Sequence, residues 1–258
     1  VRAEAAAKGQ EAGLKNILYV HFTMDDNLSL SEEIKARYRS MYTGVFFKRY
    51  ILGLWAMAEG IIYDMFDADK HVQKITDFFR CLKDGGRYVS CDYGTQNATV
   101  FLLWNKGNNG KWYCVREYYY SGRAKGKQKT DGEYADDFEK WLDGVPIRAV
   151  IVDPAAASFI AELGKRGYRV LKADNDVEDG IREVASMLNM GLLVFCDTCI
   201  NTIMEFGSYI WDEKAAQRGE DRPVKENDHA MDAVRYFVYT ILSKRTGRVK
   251  NRAKYGFD

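Results

Sequence analysis

Histidine is scarce in this chain: His21, His71 and His229 are all that 258 residues supply. A Ser-His-Asp hydrolase therefore has few candidate bases, and no Gly-x-Ser-x-Gly turn is present to expose a nucleophilic serine. No apolar run approaches the roughly 18 residues that span a bilayer, and the stretch from Val1 to Lys8 lacks the apolar centre of a secretion signal. The five cysteines (Cys81, Cys91, Cys114, Cys196 and Cys199) are odd in number and scattered, which suits reduced thiols rather than a disulfide framework. Cys196-x-x-Cys199 has no second Cys or His pair to complete a zinc site, so these thiols read as core or surface residues. Charge of one sign is missing too: Lys+Arg 38 against Asp+Glu 37 leaves a net charge of +1.

Local clusters replace that missing excess. Arg123, Lys125, Lys127 and Lys129 alternate along one stretch, and Lys244, Arg245, Arg248, Lys250, Arg252 and Lys254 crowd the C-terminal tail. Such groups either neutralise phosphates or sit in solvent. The glycines around Lys127 superficially suggest a phosphate loop. Their spacing is one residue too short, Lys127 is followed by Gln128 rather than Ser or Thr, and no ATP site is expected.

Along the chain, residues 1 to about 15 read as a tail, residues 16–22 as a strand, Ser31 as a helix start, and residues 45–55 as a second helix. The grammar changes near Gly85. Tyr88 to Asp92, Ala98 to Trp104 and Trp112 to Tyr120 are predicted as an antiparallel meander, because only short turn-forming segments separate them. Thr130 and Glu133 form a capping-box pattern opening a helix with Tyr134, Phe138, Trp141 and Leu142 on one face. Arg148 to Val152 is a continuous apolar run of the buried parallel type. Helices follow at 156–165 and 177–189, strands at 168–172 and 192–195, and a last helix at 228–243 presents Ala230, Val234, Phe237 and Ile241 to the sheet. The predicted class is α/β, a mixed sheet with helices on both faces.

Three aspartates stand out in this frame. Asp92 and Asp153 lie where apolar strands run out, and Asp232 follows His229 by three residues and Asp228 by four on the last helix. Taken singly, an aspartate after a strand is a turn residue, Asp228 a helix cap, and His229 an ordinary polar residue. Together they suggest a carboxylate site for hard divalent ions. Phosphodiester hydrolysis needs an activated water and neutralised phosphate charge, and two Mg²⁺ or Mn²⁺ ions about 4 Å apart supply both. His229 is a candidate ligand or proton shuttle near neutral pH.

The ordered segments His21 to Asn27, Tyr50 to Trp55, Glu59 to Phe66, Asp92-Tyr93-Gly94, Glu117 to Tyr120 and Asp228-His-Ala-Met-Asp-Ala-Val-Arg-Tyr236 resemble the large terminase subunit of tailed bacteriophages, in its C-terminal nuclease half. The resemblance implies an RNase H-like fold and a metal-dependent endonuclease that cuts concatemeric double-stranded viral DNA during packaging. Asp92, Asp153, Asp232 and His229 fall on its catalytic and metal-binding positions, with Asp228 a weaker fourth and Arg123, Lys125, Lys127 and Lys129 facing DNA. It also implies Mg²⁺ or Mn²⁺, two ions, as cofactor, the portal protein and small terminase subunit as partners, and the host bacterial cytoplasm, at the procapsid portal, as location. Residues 1–66 would be the end of an ATPase domain and a linker, 67–245 the nuclease domain, and 246–258 a basic tail. Two other readings stand beside this one: an RNase H-like Holliday-junction resolvase or DDE-type recombinase, and a non-enzymatic docking module.

Overall fold

The computed structural model describes residues 20–94 and 97–243. It divides into two compact units, Val1–Ala56 and Met57–Asp258.

In the first unit, Ser31 caps a helix at Glu32–Met41 by accepting the Ile34 amide, with Glu32 and Glu33 in the first turn where they complement the helix dipole. A second helix, Gly44–Tyr50, ends before the predicted residue 55. The reason is Gly53, whose φ of +63° turns the chain and whose missing Cβ leaves room for the Phe22 carbonyl and the His21 ring. His21 is spent there on the Leu52 carbonyl. Residues 20–22 form no strand, and the rest of that predicted strand lies outside the described residues.

The second unit is built on a seven-stranded mixed sheet. Its strands are β1 (Val72–Gln73), β2 (Tyr88–Asp92), β3 (Ala98–Lys106), β4 (Trp112–Ser121), β5 (Ala149–Val152), β6 (Val170–Lys172) and β7 (Leu193–Cys196), in the order β1-β7-β4-β3-β2-β5-β6. β2, β3 and β4 form the predicted antiparallel meander, and β5, β6, β7 and β1 add parallel neighbours at its two sides. Residues 57–66, assigned to the linker on sequence, pack within this unit: Ile61 bridges Ile210, and Tyr63 lies against Phe206 and Tyr209.

Helices cover both faces. On one, α1 (Asp131–Leu142) and α2 (Ala157–Lys165) bury Tyr134, Phe138, Phe159 and Leu163 against Val89, Cys91, Phe101, Val150 and Val152. The capping box of α1 forms as the sequence predicts, Thr130 accepting the Glu133 amide while Glu133 accepts the Thr130 amide. On the other face lie α3 (Val177–Asn189), α4 (Ile200–Ser208) and α5 (His229–Phe237), the last packed across β2 and β3. Phe237 stacks on Trp104 at 4.4 Å, and the Trp104 indole N–H donates to Ser90 Oγ at 2.9 Å. The predicted final helix is one α-helix continued by a π-helical turn, Val238–Leu242. β1 and α4 are absent from the sequence reading; β1 has two residues, too few for a periodic signal. The basic tail from Lys244 onward lies outside the described residues.

Candidate active site

Alternation along β2 sends Val89 and Cys91 into the aromatic layer, so Ser90 and Asp92 face α5. In β5, Val150 and Val152 face the same layer, which turns Asp153 toward α5 as well. The strands are parallel and pair Cys91 with Val152. Each aspartate is the next residue, so the two stand side by side at the carboxyl ends of adjacent strands. α5 crosses above them and brings His229 and Asp232, three residues apart, to the same place. Asp92, Asp153, Asp228, His229 and Asp232 line one cavity of about 640 Å³, together with Tyr119, Tyr236, Lys225 and Arg123.

Each carboxylate has its own partner. His229 Nδ1 lies 2.9 Å from Asp92 Oδ2. Asp153 accepts the Tyr236 hydroxyl at 2.6 Å and the Ala155 amide at 2.7 Å. Asp232 accepts the Arg235 guanidinium at 2.8 Å, and the same guanidinium donates to the carbonyls of Asn175 and Asp176. The ammonium of exposed Lys225 lies 3.2 Å from Asp228 and 3.4 Å from Asp232. Among the described residues, no three His, Cys, Asp or Glu side chains are arranged to hold a metal ion together.

Burial is the largest influence on Asp92 and pushes its carboxyl up to about 6; the charges of Asp232 and Asp228 add to this, against the His229 hydrogen bond. Burial disfavours the His229 imidazolium, but the hydrogen bond and charge of Asp92, with Asp228 and Glu205 nearby, outweigh it and raise its pKa. The two groups therefore titrate as a pair rather than singly.

Of the residues singled out on sequence, Asp92, Asp153, His229, Asp232 and Asp228 are brought together. Asp228 occupies the N-cap position of α5, yet its side chain caps nothing. The basic run separates. Arg123 lines the cavity and Lys125 is exposed, whereas Lys127 pairs with Glu133, and Lys129 turns inward to Asp137 and over the Tyr120 ring. Lys225, Arg235 and Tyr236 were not foreseen as site residues, though Arg235 stands one helical turn from Asp232 and that spacing carries the signal. Glu205, on the unforeseen α4, had none. His71 donates its Nε2–H to the Leu188 carbonyl in the core, and all five cysteines are free, four of them buried.

A family model described as the terminase RNaseH-like domain matches residues 92–240, from the first strand-end aspartate almost to the end of the last helix. The chain belongs to that family. The terminase large subunit of Escherichia phage T5 is 26% identical over 250 residues, covering 92% of this chain and 55% of that protein. The large terminase of a thermophilic bacteriophage, solved in complex with ADP, superposes with a TM-score of 0.81 at 57% identity, covering 88% of this chain and 56% of the other. The large terminase nuclease of a second thermophilic phage, G20c, solved with bound magnesium, shares the fold, with a TM-score of 0.52 at 13% identity over 72% of this chain and 98% of that one. The chain thus spans about half the length of the T5 protein and of the ADP-bound terminase. No helix among the described residues is long and apolar enough to cross a membrane.

Proposed function

We propose that this chain carries the nuclease activity of a phage large terminase, a divalent-metal-dependent endonuclease cutting double-stranded viral DNA during packaging. The observation that carries it is the meeting of Asp92, Asp153 and Asp232 in one cavity. The donor set fits Mg²⁺ or Mn²⁺: four aspartates and no cysteine line the cavity, and burial with the charges of Asp232 and Asp228 holds Asp92 high. Asp92, Asp153 and Asp232 would hold the metal, with His229 or Asp228 beside them. Bound there, a pair of such ions would activate water and neutralise the scissile phosphate.

The chain's own groups do the rest. Tyr236 and the Ala155 amide hold both oxygens of Asp153, and Arg235, 2% exposed, fixes Asp232 on its helix. Asp92 engages Nδ1 of His229, leaving Nε2 as the ring atom for exchanging a proton with substrate or solvent. Arg123 supplies positive charge in the cavity wall, and exposed Lys125 two residues on adds to it, for the DNA backbone. Residues 1–66 are read as the end of an ATPase domain and its linker, the portal protein and small subunit as partners, and the host cytoplasm as the place of action.

The test is conversion of supercoiled plasmid to nicked and linear forms with Mn²⁺, Mg²⁺ or EDTA. Asp92→Asn is expected to lower the rate at least about a hundredfold, the upper end of what losing a supporting metal-site group costs. Full activity in Asp92→Asn or Asp153→Asn, or in EDTA, overturns the proposal. A strong preference for four-way junctions over linear duplex would favour the resolvase reading instead.

A further inference from the structure

The N-terminus of α5 is capped from outside its own chain segment. A helix leaves its first amides without partners inside the helix, and an Asp at the N-cap usually accepts one of them with its side chain from an extended backbone. Asp228 holds that position, since its carbonyl accepts the first helical bond from Asp232. Its backbone is not extended as a capping side chain requires, with ψ at 4° and the preceding Asn227 left-handed at φ 51°. The amides are instead taken by Glu205 of α4, whose Oε2 accepts Ala230 N–H at 2.7 Å and Met231 N–H at 3.2 Å. Its other oxygen accepts the Tyr119 hydroxyl from β4 at 2.9 Å. Glu205 is 4% exposed, so one buried carboxylate ties α4, β4 and α5 together directly below the cavity.

The Asp228 carboxylate is consequently left over. It is 5% exposed and lines the cavity; its Oδ2 accepts no well-aligned hydrogen bond and is met by a single cation, the ammonium of exposed Lys225, at 3.2 Å. A buried carboxylate held only by one solvent-exposed ammonium, which it shares with Asp232, keeps room for a second cation. We infer that Glu205 is a positioning residue that caps α5 in place of Asp228, and that Asp228, so released, is a fourth carboxylate for a divalent cation in this cavity. The inference rests on the metal-dependent reading above and goes beyond it by placing what frees Asp228 for that site in Glu205, a residue outside the cavity lining.

The experiment is a calorimetric Mn²⁺ titration of the whole chain and its variants, with circular dichroism to confirm folding. Asp228→Asn is expected to weaken Mn²⁺ binding about tenfold, and Glu205→Ala by a similar factor, because an uncapped α5 draws Asp228 back toward its own amides. The double variant Glu205→Ala/Asp228→Asn is expected to bind within about twofold of either single variant, since both act through one carboxylate. Glu205→Gln, which keeps an acceptor for the two amides, is expected to restore binding to within about threefold of wild type. Unchanged affinity in Asp228→Asn, a variant whose folding does not depend on Glu205, overturns the inference. So does a double variant whose loss is the product of the two single losses, which would make Glu205 a purely general stabiliser. Absence of Mn²⁺ binding by the unaltered chain removes the metal reading itself, and this inference with it. Binding that survives Asp228→Asn but not Asp92→Asn leaves that reading standing and discards only this step.

Discussion

The two faces of the sheet differ in what they bury beside apolar groups. Under α1 and α2 the buried groups are apolar and aromatic: Phe101 meets Phe138 edge-on at 5.2 Å, and Phe159 stacks on Tyr93 at 4.5 Å. The α5 face buries aromatic groups too, Trp104, Phe195, Phe206 and Phe237, but adds Asp228, Asp232, Arg235 and Glu205, each less than a tenth exposed. Burying apolar surface stabilises the fold at roughly 25 cal/mol per Å², whereas burying charges at best breaks even once their partners are counted. Both faces therefore contribute apolar packing, but only the α5 face also bears the electrostatic cost of buried charges, which keeps carboxylates facing the cavity. Purely apolar packing and chemistry meet at β2, whose alternating residues serve both.

That division is open to attack from either side. The largest effect is expected from the apolar face: Phe159→Ala should cost about 3–5 kcal/mol in urea unfolding, the range for truncating a buried aromatic. Mn²⁺ affinity of the remaining folded protein should change less than about threefold; a large loss of affinity would show that the faces are not independent.

The second effect lies in the pH dependence of stability. Burial raises the Glu205 carboxyl from its ordinary 4.5 to about 7, against the hydrogen bonds from Tyr119, Met231 and Ala230. Protons are thus held more tightly in the folded state. The stabilisation is fully present below pH 4.5 and is lost as pH rises through about 7, on the order of 3 kcal/mol in all. Urea midpoints of wild type relative to Glu205→Gln, followed from pH 5 to 8, should show this decline only in the wild type. A flat difference would mean that Glu205 is not protonated preferentially in the folded state.

The smallest effect concerns a close approach on the charged face. A Cβ at Gly180 of α3 would meet Arg235 Cγ at 2.6 Å and Cδ at 2.7 Å. Gly180→Ala should therefore cost about 1–2 kcal/mol, overpacking being partly offset by the better helix propensity of alanine. It should also weaken Mn²⁺ binding by shifting the guanidinium that holds Asp232. A stabilised variant with unchanged affinity would show that Arg235 has slack and does not position Asp232.

Much of this arrangement is legible in the sequence because it rests on short-range periodicity. The meander from Tyr88 to Ser121 shows as three strand-like runs broken by turn residues, Thr130 and Glu133 announce α1, and the apolar run ending at Val152 marks a buried parallel strand. Asp92, Asp153 and the pair His229 and Asp232 could be selected because they close those elements. What escaped had no local mark. β1 is too short to show a period, α4 lay in a segment read as neither helix nor strand, and Glu205 looks like any helical glutamate. Asp228 misled because its position in the chain is that of a cap, while its backbone angles are not. The basic run looked uniform, yet Lys129 folds inward to Asp137 and Arg123 reaches the cavity.

The chain alone determined the residue types and spacings: carboxylates at two strand ends, a His and an Asp one turn apart, and the alternation that fixes which face each strand residue takes. Those follow from the period of two in a strand and of 3.6 in a helix. Only the tertiary structure decided which charges meet. Parallel pairing of β2 with β5 sets Asp92 beside Asp153, the crossing of α5 adds Asp232, and a glutamate from another helix takes over a cap and leaves Asp228 to the cavity. The reason is that electrostatic partnership depends on distances of a few ångströms between residues 25 to 137 positions apart, which no local pattern encodes.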